Sequence, residues 1–229
     1  MPVYTYSLYV AAGLVAAVLW LAVEGQRRGW RAVEAFEILV WALLPGLVCG
    51  RLAYVLETLE GEPFSTALLL RPWGEGVNLP LAVLGGILGL GLCAALQRRS
   101  WFALLGAAAP ALALAQTLGW LGAAIHGAHA GIPLRPGAWM PLLRDLYGNL
   151  RPRFPLQYLA AVLSLALWLA LAYSSLSDRR RLAVYALASG AGLALLDVWR
   201  EGRQPVVLDL SMEQVAWLVL ALVGLALAL

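Results

Sequence analysis

The chain has 229 residues, of which 62% are hydrophobic and 13% charged, and its mean hydropathy is +0.79. These values lie outside the range of water-soluble globular domains and exclude that class. The net charge of +3 comes from sixteen arginines with no lysine. Half of them form three short clusters beside apolar runs, where they set topology and meet anionic lipid heads, so the basic balance does not point to nucleic acid.

A bilayer-spanning helix needs about 20 mainly apolar residues. Seven runs qualify, over 4–23, 37–57, 79–97, 102–124, 156–173, 182–197 and 212–229. None alternates as the strands of a membrane barrel would. The predicted fold is all-α, an integral membrane bundle of seven transmembrane helices in a single domain over 1–229. The first run has no basic segment before it and no small-residue cleavage site after it, and is read as a retained span. The clusters "GQRRGWR", "QRRSW" and "SDRRRL" follow the first, third and fifth runs. By the positive-inside rule the N-terminus is then outside and the C-terminus inside, in the cytoplasmic membrane.

In the second run, "LLPGLVCGRLAYVLE" carries Arg51. An ionisable group within a span is a functional-site candidate by default, with a structural ion pair or snorkelling as the alternative. Cys49 and Cys93 fall in different apolar runs and on different sides of the expected midplane, so they are read as small packing residues.

The fourth run ends in "GWLGAAIHGAHAG", with glycines at 119, 122, 127 and 131 around the only two histidines, His126 and His129. At i, i+3 spacing the two share a helix face, and either could accept a proton near neutral pH. Without a nearby carboxylate or cysteine they make an incomplete metal site; the third reading is that they cap the span. The segment 132–155 has four prolines before Pro155 and few apolar runs. It predicts a small irregular outer head, about 125–155.

Arg51, Arg71, Arg135, Arg144, Arg151, Arg153, Arg200 and Arg203 fall in outer halves of spans or in outer loops, against the topological bias. Outer acids, among them Glu57, Glu60, Glu62, Asp145 and Glu201, are numerous enough to pair with some of them. A guanidinium also offers forked donors that match phosphate, and the abundant outer-leaflet phosphate is a phospholipid headgroup. Arg153 in "RPRFPLQ" and Arg200 in "LLDVWREGR" lie near predicted span ends, as ordinary interfacial anchors also would.

The pattern resembles the prolipoprotein diacylglyceryl transferase family over nearly the whole chain. The matching stretches are "YSLYVAAG" with Tyr6 and Gly13, "GLVCGRLAYV" with Arg51 and Tyr54, "WGEGVNLPLAVLGGILG", the 119–131 glycines, "RFPLQ" with Gln157, "DVWREGR" with Asp197 and Arg200, and "SMEQ". The departures fall on polar positions. Where the family has a histidine before its paired glycines this chain has Pro80. The signature arginine is replaced by Trp120, its asparagines by Ala123 and His126, and its glutamate by Ala128. The second motif's histidine, tyrosine and glutamate are replaced by Phe154, Leu159 and Ala160, and a sixth-span arginine by Leu193.

The resemblance implies a transfer of diacylglyceryl from phosphatidylglycerol to the thiol of a lipoprotein signal cysteine, without a cofactor. A thiol of pKa near 8.5 is mostly protonated at neutral pH, and loss of a positioned base costs roughly 10²–10⁴-fold. Three readings remain. One is a phospholipid-binding relative with lost or reduced transfer, in contact with lipoprotein signal segments. A second is a divergent transferase with His126 or His129 as base. The third is an unrelated channel or carrier, against which stands the lack of matched Gly/Pro-broken spans in two halves. In the first two, Tyr6, Arg51, Arg153, Gln157, Asp197 and Arg200 face lipid phosphate, and Gly119, Gly122, Gly127 and Gly131 form the wall.

Overall fold

A computed structural model describes residues 4–58, 78–135 and 140–229. Glu60, Glu62, Arg71 and Trp73 lie outside the described residues, as do the side chains of Glu57 and Pro80. Among the described residues there are seven helices: α1 (Tyr4–Arg27), α2 (Ala32–Thr58), α3 (Leu79–Leu96), α4 (Trp101–His126), α5 (Leu156–Ala172), α6 (Asp178–Asp197) and α7 (Met212–Ala228). Each coincides with an expected apolar run to within a turn or so. Three stretches, Thr5–Arg27, Val33–Leu56 and Trp101–His126, are long and apolar enough to cross a membrane. The apolar helices Leu81–Leu96, Leu156–Ala172 and Met212–Ala228 are shorter, and α6 opens on the charged run Asp178–Arg181.

The chain divides into two compact units, Met1–Glu24 with Gly106–Leu229, and Gly25–Leu105. Within the second, α2 and α3 approach through small residues. A Cβ on Gly89 would sit 2.0 Å from the Trp41 carbonyl oxygen, and one on Gly85 would sit 2.6 Å from the Pro45 carbonyl oxygen and from the Cys49 Cβ. This is how apolar helices associate where lipid supplies no hydrophobic drive: the backbones come close enough for van der Waals packing. Asn78 starts α3, its Oδ1 accepting from the Leu81 amide at 3.1 Å, with a proline in the first turn where its missing N–H is harmless. Cys49 and Cys93 form no disulfide.

In the first unit α6 and α7 meet in the same way. A Cβ on Gly190 would lie 2.5 Å from the Trp217 carbonyl oxygen, and one on Gly224 would lie 2.3 Å from the Leu187 amide nitrogen. Ala109 and Ala113 of α4, Leu167 and Leu171 of α5 and Tyr185 of α6 form a buried cluster. Helix α7 begins with a capping box: Ser211 accepts from the Gln214 amide while the Gln214 side chain accepts from the Ser211 amide. Arg181 reaches back to Glu24 at 2.7 Å, joining the first turn of α6 to the far end of α1.

The head departs from the irregular segment expected. Strands β1 (Leu142–Arg144) and β2 (Leu150–Pro152) form an antiparallel hairpin. Asp145 closes it by accepting on Oδ1 from the amides of Tyr147 at 3.0 Å and Asn149 at 2.8 Å, and Gly148 turns the chain at φ +85°. The "DLYGN" turn signal outweighs the prolines because Pro141 and Pro152 sit at or beside the strand ends, where no ladder donor is missed. A second hairpin, β3 (Pro205–Val207) with β4 (Leu210–Ser211), precedes α7. Its two turn residues, Leu208 and Asp209, have φ of 49° and 65°.

Candidate functional site

The site is built at the end of α4. Gly127, at φ +88°, takes the left-handed conformation that ends a helix and donates to the Ala123 carbonyl at 2.8 Å. A Cβ there would sit 2.3 Å from the Asp145 carbonyl oxygen, one on Gly131 would sit 2.1 Å from that of Phe154, and one on Gly122 would sit 2.6 Å from the Tyr9 Cβ. The close approaches that the spacing suggests are thus made to the protein itself, whereas Gly119 borders open space.

Beyond Gly127 the chain runs as an extended segment between two others. Gly131 bridges Arg200 and Pro133 bridges Arg153. The Ile132 amide donates to Trp199 at 2.8 Å, the Phe154 amide to Ile132 at 3.2 Å, and the Glu201 amide to Ala130 at 2.9 Å. Gln157 in the first turn of α5 donates from Nε2 to the Ala128 carbonyl at 2.9 Å. These bonds gather residues far apart in sequence.

The His126 ring stacks on Tyr6 with centroids 5.8 Å apart, and the His129 ring meets Trp120 edge-on at 5.6 Å. His129 has φ 51°, sparsely populated for a residue with a side chain and the kind of outlier that collects at functional sites. Its Nδ1 lies 3.3 Å from Nη1 of Arg200. A guanidinium only donates, so in this hydrogen bond Nδ1 is the acceptor. Arg200 also donates to Glu213 and holds Asp197 at 3.0 Å from its Nε. Asp197 accepts from Ser211 Oγ at 2.9 Å, which ties this network to the α7 cap. Glu213 Oε2 is 3.9 Å from His129 Nδ1. The side chains of Arg200, Glu213 and His129 keep 14%, 23% and 34% of their exposure, so this edge is accessible.

Arg153 is placed differently. Its side chain is 1% exposed and is held by Asp145 at 2.9 Å, by Glu201, and by the Gly131 carbonyl at 3.1 Å. Two of the outer acids expected to pair with arginines therefore do so. Burial raises the Asp145 carboxyl pKa, but hydrogen bonds from the Asn149 side chain and backbone and the Arg153 charge outweigh it and hold the group below its ordinary value.

Tyr6, His126, His129, Asp197 and Arg200 thus come together, with Gln157 and Arg153 attached through the 128–131 segment. Arg51 belongs to the other unit, where it is buried on α2 with its guanidinium 5.2 Å from the Tyr54 ring. Glu213, Ser211 and Gln214 were not foreseen as site residues, although the Ser-x-x-Gln spacing in "SMEQ" is a capping signature that puts Glu213 in the first turn of α7. Apolar contacts fill the departed family positions: Phe154 stacks on Trp199 at 5.2 Å, and Leu193, Ala123 and Ala160 are buried. The Nε1 of Trp120 is buried without a hydrogen-bond partner. Among the described residues no group of three or more His, Cys, Asp or Glu is gathered as for a metal ion.

The model of the family described as prolipoprotein diacylglyceryl transferase matches residues 1–229. A protein named phosphatidylglycerol–prolipoprotein diacylglyceryl transferase 2, from Clostridium perfringens, is 26% identical over 127 residues, covering 56% of this chain and 50% of the relative. Proteins named phosphatidylglycerol–prolipoprotein diacylglyceryl transferase from Frankia alni and Lactiplantibacillus plantarum are 31% identical over 140 residues and 32% over 121. These cover 58% and 51% of this chain and 37% and 42% of the relatives. The chain spans half or less of the length of these relatives.

Proposed function

The chain belongs to the prolipoprotein diacylglyceryl transferase family, and on that premise we propose that it binds phosphatidylglycerol at the face of Tyr6, His126, His129 and Arg200 and has lost most or all transferase turnover. The setting proposed is a single seven-span domain over 1–229 in the bacterial cytoplasmic membrane, N-terminus outside and C-terminus inside, with the head about 125–155 outside. Arg51 is kept as a second phosphate-binding candidate in its own unit. Arg153, saturated by two carboxylates, positions the 131 segment beneath the face, together with Gln157. Lipoprotein signal segments are the proposed protein partner. Cysteine probes at Gln26 and Ser177 test the topology, which fails if either labels from the outside.

The observation that carries this reading is Arg200, held in an accessible edge by Asp197 and Glu213. A lipid phosphate takes the place of Glu213 on its outer donors. Loss of turnover follows from the residues themselves: Pro80 cannot transfer a proton, Trp120 and Leu193 cannot bind phosphate, and Ala128 cannot orient either. The test is transfer of labelled diacylglyceryl from phosphatidylglycerol to a lipobox peptide by purified protein, alongside lipid binding. Binding that weakens in Arg51→Ala or Arg200→Gln, with turnover orders of magnitude below that of a relative with the full polar set, supports the proposal.

The second reading, an active divergent transferase, is favoured by one observation: His129 lies beside both Arg200 and Glu213. The histidine takes the thiol proton on Nδ1 as Arg200 turns the donor that occupied that nitrogen onto the departing glycerol phosphate. Robust turnover that disappears in both His126→Ala and His129→Ala promotes this reading over the first.

A further inference from the structure

The charges gathered at Arg200 favour one kind of headgroup over another. Its guanidinium is shared by Asp197 and Glu213, two carboxylates against one cation, and His129, accepting at Nδ1, adds no positive charge. The face therefore carries one negative charge in excess. The adjoining segments leave that balance as it is. Arg153 is paired with Asp145 and Glu201, and Arg203 donates to Gln214, which adds two charges of each sign.

An anionic head adds a further negative charge to this excess, whereas a head with both a phosphate and an ammonium adds none. When a phosphate takes the outer donors of Arg200, the Glu213 carboxylate is released at the partly exposed edge, beside His129 Nδ1 at 3.9 Å. A carboxylate freed there calls for a cation, and a primary ammonium brings three donors to share between it and the histidine nitrogen. The Tyr6 phenol lies in the field of the same carboxylate, and the Tyr6 and Trp120 rings contact His126 and His129. Aromatic rings attract an ammonium and give a glycerol head no such gain.

We propose that the Arg200 face selects a zwitterionic aminophospholipid in preference to phosphatidylglycerol, with the phosphate on Arg200 and the primary ammonium between Glu213 and His129. This rests on the reading of that face as a lipid-phosphate site. Glu213 then competes with an anionic head but is a direct contact of a zwitterionic one. Specificity is a difference of affinities, so one side chain moves the two in opposite directions.

The test places the purified full chain in nanodiscs of phosphatidylcholine, whose quaternary nitrogen has no N–H to donate. Phosphatidylethanolamine and phosphatidylglycerol are titrated separately, and bound lipid is counted by native mass spectrometry. Phosphatidylethanolamine is expected to bind about fivefold more tightly, the worth of one interfacial charge. Glu213→Gln leaves the Ser211–Gln214 cap in place and is expected to reverse the order, weakening phosphatidylethanolamine and strengthening phosphatidylglycerol. Tighter binding of phosphatidylglycerol by the unaltered protein, or a Glu213→Gln shift of the same sign for both lipids, overturns the selection. Competition by phosphoethanolamine at the lipid's own affinity overturns its assignment to a lipid. Failure of the underlying face shows separately: Arg200→Gln then leaves the binding of both lipids unchanged, whereas with the face intact it weakens both.

Discussion

His129 accepts a hydrogen bond from Arg200 through Nδ1 at 3.3 Å, while Glu213, 3.9 Å from the same nitrogen, accepts from the same guanidinium nitrogen. One guanidinium nitrogen, with its two N–H groups, thus serves a ring and a carboxylate, and a ligand that binds at that nitrogen must displace one of them. Glu213 is the more easily moved, since Ser211 and Gln214 build the α7 cap without it. Glu213→Gln is therefore expected to raise affinity for phosphatidylglycerol about fivefold, the effect of removing one partly exposed competing charge. Lipid titration in nanodiscs checks it, and a lowered affinity would instead make Glu213 part of the ligand's own contacts.

Arg153 is buried against Asp145 and Glu201, so removing its charge strands carboxylates and frees the Gly131 carbonyl. Arg153→Met is expected to lower the melting temperature by several degrees in detergent, and addition of Asp145→Asn to restore part of the loss. An unchanged melting temperature in the single variant would show that the ion pair is dispensable.

The lowered Asp145 pKa gives a pH dependence of definite sign. The fold favours the carboxylate, so this contribution is fully present above the unfolded value near 3.9 and is lost as pH falls through the lower folded value. Thermal melts from about pH 6 to pH 2.5 should show an acid loss that Asp145→Asn reduces. Identical pH profiles for the two proteins would contradict the assignment.

The four glycines of the 119–131 stretch should behave unequally. Gly131→Ala forces a Cβ onto the Phe154 carbonyl and is expected to destabilise by about 1–3 kcal/mol, as overpacking does. Gly119→Ala meets nothing within 4 Å and is expected to be tolerated or slightly stabilising within its helix. Comparable melting temperatures for both would remove the packing explanation.

The helices were legible because each apolar run is long and punctuated by arginine, proline or glycine, as at Arg98–Arg99 and Asn78–Pro80. The β1–β2 hairpin was not, since three-residue strands give too little alternation to see and only the Asp145–Asn149 turn marks them. Asp145 and Glu201 could be named as arginine partners from charge alone. That Arg153 takes both, leaving Arg200 to Asp197 and Glu213, depends on the bridges at Gly131 and Pro133, which carry no sequence signal. Glu213 escaped notice because it reads first as an ordinary helix-start acid.

Those bridges limit what substitution can reveal. The 130–134 segment is fastened on one side to 199–201 and on the other to 152–154 chiefly by peptide groups, the Arg153 side chain adding one bond to the Gly131 carbonyl, and every residue but proline supplies the same peptide group. Side-chain scanning at Ile132 and Leu134 therefore passes over the connection between the β1–β2 hairpin and Arg200 with little signal. Only replacements that delete an N–H, such as Ile132→Pro, or a backbone ester at the same position, cut it. A survey of side-chain variants at Ile132 and Leu134 would score those positions as unimportant for the very reason that their role is carried by atoms nearly all residues share.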